Sequence, residues 1–182
     1  MRINKLNYKR KDRVKQLGFT LIEVMIVLVI ALGIYGIASG KIASALGWSS
    51  DTEEDGNISQ LYSNAKALKT ASGYGASGTN LVLSLISAKG IPGNMTVTSN
   101  VPYNDWGGAV TVVSTGQGFT IGYSDVPQDA CIKIATKANK GGTFASVQVN
   151  SATAQTSEYT SAQAQIDCSS STNNTMTFTS SS

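Results

Sequence analysis

From Val24 to Gly40 no residue carries a charge, and the run that starts at Phe19 is interrupted by a single carboxylate, Glu23. Phe19 to Gly40 is 22 residues. As a helix it would be roughly 33 Å long, enough to cross a hydrocarbon core of about 30 Å. Further on, Ile58, Leu61, Ala65 and Leu68 recur at spacings of three and four, the period of an amphipathic helix. No Pro occurs between Phe19 and Ala71. The spacing therefore predicts one long N-terminal helix over 19–71, apolar all round in its first half and striped in its second. If continuous, it would extend roughly 80 Å. Gly33, Gly36, Gly40, Gly47 and Gly56 fall within it. Each costs about 1 kcal/mol against Ala in a helix, although in a membrane Gly also permits close helix contact. Gly33 to Gly40 is the expected weak point.

The pattern then changes period. Ser72 to Thr79 reads as a loop, and Asn80 to Lys89 as a short helix capped by Asn80 and stopped by Gly90 and Pro92. Ala109 to Ser114 and Phe119 to Ser124 flank Thr115-Gly116-Gln117-Gly118, a hairpin signal. Pro127 to Ala138 predicts a helix carrying Cys131, Thr143 to Asn150 a strand, Thr160 to Cys168 a short helix or turn, and Thr175 to Thr179 a last strand. The fold class is α+β: a long N-terminal α-helix packed on an antiparallel β-sheet head.

Charge divides the chain at Gly18. Seven of the 14 Lys and Arg lie before it: Arg2, Lys5, Lys9, Arg10, Lys11, Arg13 and Lys15. Without residues 1–18 the count is seven basic against ten acidic residues, so the +3 of the whole chain becomes −3. The basic balance belongs to the leader, and a nucleic-acid partner is not indicated. An ordinary secretory signal loses its apolar run on cleavage. Here Gly18 stands between the charges and the apolar run, so a cut there would retain that run. The basic leader holds the N-terminus in the cytoplasm by the positive-inside rule. A carboxylate inside such a segment is costly in lipid and marks function. The two Cys, Cys131 and Cys168, supply too few soft ligands for a metal site. Outside the cytoplasm such a pair favours a disulfide.

Gly18-Phe19-Thr20-Leu21-Ile22-Glu23, with the basic leader in front and the apolar run behind, resembles the class III signal of type IV pilins. The resemblance implies a division into a leader at 1–18, a long helix at 19–71 whose part at 19–40 spans the membrane and polymerises, and a globular head at 72–182. It implies that a prepilin peptidase cuts between Gly18 and Phe19, that Phe19 is N-methylated, and that Glu23 and Phe19 assemble subunits into a helical filament. It further implies a prepilin in the inner membrane with its head in the periplasm, then a surface filament. The implied partners are the inner-membrane assembly machinery, minor pilins and an outer-membrane secretin. The head pattern, with a region near the C-terminus closed by Cys131 and Cys168, is similar to the type IVb pilins, most of all those of plasmid-type thin conjugative pili. The 18-residue leader is longer than the type IVa norm, while Phe19 at the cut is the residue usual in type IVa pilins. A minor pilin or a type II secretion pseudopilin is the alternative, although major pseudopilins typically lack the C-terminal disulfide.

Catalytic chemistry finds little footing. The chain has no His, so its many Ser lack the base of a hydrolytic triad, and an enzyme and a cofactor are not expected. Gly73-x-Gly75-x-x-Gly78 matches the dinucleotide pattern in letters but follows a helix where a strand is required. Asp51-Thr52-Glu53-Glu54-Asp55-Gly56 begins like a calcium loop, yet Tyr62 stands where the bidentate Glu is needed. That acidic run reads as a solvated patch, available to Lys137 or Lys140 of a neighbouring subunit. Pro102 to Gly108 reads as a turn that packs Trp106 under the sheet.

Overall fold

The computed structural model describes residues 52–140 and 142–181. Residues 52–66 form a helix, α1. Ile58, Leu61 and Ala65 are buried along one side of it, and Leu68 continues the stripe, partly buried against the core. The helix ends five residues short of the expected Ala71. Its last turn tightens, with Leu68 N–H donating to Ala65 and Lys69 N–H to Lys66. Such i→i+3 bonds close a helix C-terminus. Thr70 and Gly73 then exchange backbone bonds, which fixes the turn out of α1.

Helix α2 is Val82–Ser87. Asn80 Oδ1 accepts from the Val82 N–H at 2.9 Å, so Asn80 satisfies one free donor at the helix start. At the other end Lys89, not Gly90, takes the left-handed conformation, with φ 54°. Gly90 N–H donates to Leu85 and Lys89 N–H to Ile86, the bond pair of a Schellman motif.

Six strands follow, in two sheets. β1 (Thr96–Thr98) and β2 (Val101–Tyr103) make a short antiparallel hairpin. The apolar pattern of the sequence predicts no strand here. The two-residue turn is Ser99-Asn100, with φ 51° and 65°, the positive pair a type I′ hairpin requires but without the usual Gly. The main sheet holds β3 (Val110–Ser114), β4 (Phe119–Val126), β5 (Ser146–Val149) and β6 (Asn174–Thr179) in the order β3-β4-β6-β5, all pairs antiparallel. The last strand of the chain is thus an inner strand. Val110 and Val112, Phe119, Ile121 and Tyr123, Val147 and Val149, and Met176 and Phe178 alternate inward and form the core, as a sheet with one solvated face demands. In β4 the register shifts between Tyr123 and Val126, where Asp125 adopts φ 55°. This bulge keeps Val126 buried after an otherwise alternating strand.

Both edges of the main sheet are occupied. Tyr74 and Gly78 N–H groups donate to Gly116 and Ser114, and Leu81 N–H to Val112, along β3. Val147 and Gln155 exchange both backbone bonds beside β5. Covered edges offer no template for uncontrolled pairing. Helix α3 is Gln128–Ala138 and α4 is Ser161–Asp167. α3 buries Ala130, Cys131, Ile134 and Ala135 and starts at Pro127, whose fixed φ suits a helix entrance. Thr160 Oγ1 caps α4 by accepting from the Gln163 N–H.

Cys131 and Cys168 are joined, with Cα atoms 6.0 Å apart across a sequence separation of 37, and both are fully buried. The bond ties α3 to the residue that ends α4. Replacing both Cys by Ser is expected to lower head stability by about 3 to 4 kcal/mol on the loop-closure account. Urea denaturation of the two heads checks this. An unchanged midpoint and slope would show that packing alone closes the region.

Candidate functional site

The stripe that seats α1 does not stop at Ile58. One turn earlier, at the same spacing, stands Glu54, with no exposed surface. Its Oε1 accepts from the Asp105 N–H at 2.8 Å. Its Oε2 lies among buried groups without a well-formed hydrogen bond, as do the Asn57 amide nitrogen and the Tyr123 hydroxyl. Burial is the main cause that holds the Glu54 carboxyl above its ordinary 4.5. The Asp105 carboxylate adds to the rise, while the Asp105 N–H, Asn57 and Tyr123 oppose it. Burial first, and then the Glu54 charge, push the Tyr123 hydroxyl up as well. Burial likewise raises Asp105, with Glu53 adding to it. A lone buried carboxylate favours its neutral form.

The turn that meets Glu54 is built on Asn104. Its Nδ2 donates to Ser124 O, and its Oδ1 accepts from the Trp106 and Gly108 N–H groups. Gly108 is required because a Cβ there would collide with the Ser124 carbonyl. Trp106 is only partly buried against the core, so the organising residue of the turn is Asn104 and not the aromatic. Glu54 thereby links α1, the β2–β3 turn and β4.

The acidic run at the head of α1 is only in part the solvated patch expected of it, for Glu53 alone of its described carboxylates is exposed. Glu54 is inside, and Asp55 bonds Lys137 of its own chain at 3.0 Å. The physical reason is the helical period: 54 falls on the apolar side, and 55 faces α3. Around that ion pair lies a cavity of about 250 Å³ between α1 and the C-terminal half of α3. Ile58, Ile134 and Phe144 line it with Lys137 and Lys140. Tyr62 stacks edge-on to Phe144 at 5.1 Å and tilts on Phe119 at 5.6 Å.

The C-terminal region is held by side chains. Asn174, fully buried, donates to Val126 O and Ser170 O and accepts from Ser170 N–H. Asn150, at φ 49°, donates to Asp167 O and Asn174 Oδ1 and accepts from Thr175 N–H. Tyr159 and Gln163 donate to the two Asp167 oxygens at 2.8 and 2.9 Å. Gln128 Nε2 donates to Cys168 O at 2.8 Å.

Of the residues singled out in the sequence, the structure brings Cys131 and Cys168 together. Gly18, Phe19 and Glu23 lie outside the described residues, as does the segment at 19–40. Among the described residues no helix is long and apolar enough to cross a membrane. Gly73, Gly75 and Gly78 all have positive φ and turn the loop that runs along β3. Gly73 and Gly78 N–H groups are engaged by Thr70 and Ser114 carbonyls, so they do not form a phosphate cradle. Residues 52–56 are helical and not a calcium loop. The signal for Glu54 was present in the stripe spacing. The signals for Asn104, Asn150 and Asn174 were not, because side-chain bonds to distant backbone leave no periodic trace.

A family model described as PilS N terminal matches residues 49–181. A second, described as prokaryotic N-terminal methylation motif, matches residues 13–32. Among solved structures, the crystal structure of a type IV b pilin from Salmonella typhi superposes with a TM-score of 0.62 at 24% identity, covering 72% of this chain and 99% of that one. The crystal structure of TcpA, a type IV pilin from Vibrio cholerae El Tor biotype, gives 0.53 at 13% identity, covering 73% and 99%. At these identities the likeness is one of fold. No curated protein sequence matches the chain.

The buried carboxyl makes head stability depend on pH. Its folded-state value is raised, so its contribution is full below the ordinary 4.5 and is lost as pH rises through the raised value. Glu54→Gln keeps an acceptor for the Asp105 N–H and cannot ionise. It is expected to match the wild type in acid, exceed it at pH 7 and flatten the profile between. Glu54→Ala strands the Asp105 N–H and is expected to cost about 1 to 3 kcal/mol. Thermal unfolding of the three heads from pH 4 to 8 checks this; a Gln variant that tracks the wild-type profile would refute it.

Proposed function

We propose that this chain, which belongs to the PilS family, is the main structural subunit of a type IVb surface pilus, made as a membrane-held prepilin and polymerised through its N-terminal segment. The observation that carries the reading is the order of two matches in one chain. The match to the N-terminal methylation motif spans residues 13–32, the stretch that holds Gly18, Phe19 and Glu23, and the match to the PilS model at 49–181 follows it. The proposed maturation is a cut between Gly18 and Phe19 by a prepilin peptidase, with N-methylation of Phe19. The leader's charges hold that bond on the cytoplasmic side. The head then stands in the periplasm, where Cys131 and Cys168 oxidise.

In this reading Glu23 sets the register of the polymer. Its carboxylate has no partner in its own apolar run. Cleavage exposes the terminal amine of Phe19. In a filament the Glu23 of one subunit neutralises the Phe19 amine of the next while the apolar faces bury one another. Opposite charges attract far more strongly in low dielectric than in water, and removal of one leaves the other buried and unpaired. The proposed partners are further copies of the chain, minor pilins, the inner-membrane assembly machinery and an outer-membrane secretin. The filament's proposed work is contact: adhesion, aggregation or a mating junction.

Mass spectrometry of sheared filaments is expected to find a subunit that starts at a methylated Phe19. An intact Met1 would end the processing scheme. Glu23→Ala is expected to leave insertion and cleavage intact and to abolish filament yield. Shearing beside a membrane-fraction blot checks both, and normal yield from the variant would show that charge pairing does not set the register.

A further inference from the structure

The β2–β3 turn and the start of α1 meet at one side chain. The turn closes on itself, with Asn104 N–H donating to Gly108 O and Gly107 N–H to Asn104 O. Asn104 Oδ1 takes the Trp106 and Gly108 N–H groups, and Asn104 Nδ2 ties the turn to Ser124 O of β4. Of the N–H groups of residues 104–108, only that of Asp105 goes to another element, and Glu54 Oε1 accepts it at 2.8 Å. The turn therefore keeps its bonds without α1. Helix α1 likewise keeps its seat without its first described turn. Leu61 and Ala65 have no exposed surface, and the Tyr62 ring rests on Phe119 and Phe144. This joint can part while both of its sides stay folded.

We propose that residues 52–57 form a proton-operated latch: with a neutral carboxyl Glu54 stays seated on the β2–β3 turn, and loss of its proton frees this end of α1 while the rest of the head stays folded. A neutral carboxyl at this buried place is served by the one bond at Oε1. A carboxylate there has its charge to satisfy as well. The titratable groups that face it are all acids. Asp105 of the turn disfavours the charge directly, Glu53 of α1 acts on Asp105, and burial keeps the Tyr123 hydroxyl of β4 protonated. The Asp105 N–H, Asn57 and Tyr123 favour the charge but do not cancel the effect of burial, and neither the Asn57 amide nitrogen nor the Tyr123 hydroxyl makes a well-formed bond. The nearby cation Lys137 is engaged by Asp55. A buried charge so placed gains by reaching water, and the segment that opens at least cost opens first. The Asp55–Lys137 pair holds the same turn, but the lysine side chain is 52% exposed and such a pair contributes little. The Glu54 carboxyl is held above its ordinary 4.5, so the latch is shut in acid and loosens as pH rises through the raised value. The inference concerns the head alone and does not rest on the pilus reading.

Hydrogen exchange of the full chain in detergent micelles, followed by NMR from pH 5 to 8, tests this on the unaltered protein. The Asp105 N–H depends on Glu54, and the Gly108 N–H of the same turn depends on Asn104. The ratio of their protection cancels the intrinsic pH dependence of exchange. Protection of Asp105 is expected to fall relative to Gly108 as pH rises, by at most about tenfold per pH unit, while the β4–β6 ladder stays protected. Glu54→Gln keeps an acceptor and has no proton to lose, so it is expected to hold the ratio constant. A constant ratio in the wild type, a fall that persists in Glu54→Gln, or loss of β4–β6 protection in step with Asp105 would each overturn the latch.

Discussion

Ile58, Leu61 and Ala65 are almost wholly removed from water, and they sit on a helix that has a sheet to lie on only because the rest of the chain supplies one. Burial of Ile58 and of Leu61 contributes roughly 1.5 to 3 kcal/mol each. The contact is extended by Tyr62, whose ring meets Phe119 from β4 and Phe144 before β5. Glu54 finishes the stripe with a hydrogen bond where a methyl group would have served for packing alone. It gives the first described turn of α1 a defined partner at Asp105. The orientation of α1 on the head is thereby fixed by both apolar burial and a directional bond.

The surface that receives α1 depends in turn on the end of the chain. β6 is the last strand in sequence and lies between β4 and β5. The sheet cannot close until residues 174–179 arrive. Asn174 and Asn150 secure the ends of the strands that flank it, and the Cys131–Cys168 bond restrains the segment that leads into it. In the proposed filament such a closure would keep the shape of the subunit. Local opening at the C-terminus would expose the inner strand and release the sheet from α1.

Elements with a strong period or a distinctive boundary were legible in the sequence. The β3–β4 hairpin announced itself through Thr115-Gly116-Gln117-Gly118. α3 did so through Pro127 and the spacing of its buried Ala130, Ile134 and Cys131, and β6 through alternation around Met176 and Phe178. The β1–β2 hairpin was not legible. All three β1 residues are exposed, so no apolar alternation marks it, and its turn is made by Ser99 and Asn100 at positive φ. The burial of Glu54 does not follow from the composition of the acidic run but from its position. Glu54 lies four residues before Ile58, on the stripe, and position decided its burial. The polar network of Asn104, Asn150 and Asn174 depends on contacts between distant parts of the chain, which spacing does not encode. Gly18, Phe19 and Glu23 stood out because a charge-rich leader, a small residue and an apolar run meet at one bond. That pattern is local in the chain and can be seen without knowing how the head packs.

In the proposed function one chain carries a head for display and an N-terminal segment that polymerises. Cryo-electron microscopy of filaments sheared from cells that express the chain tests this most directly. The expected reconstruction has subunits that begin at Phe19, their N-terminal helices bundled along the filament axis. The Glu23 carboxylate should lie beside the terminal amine of a neighbouring Phe19, and the heads should form the outer surface. A filament whose subunits retain residues 1–18, or whose N-terminal segments are absent from the core, would contradict it.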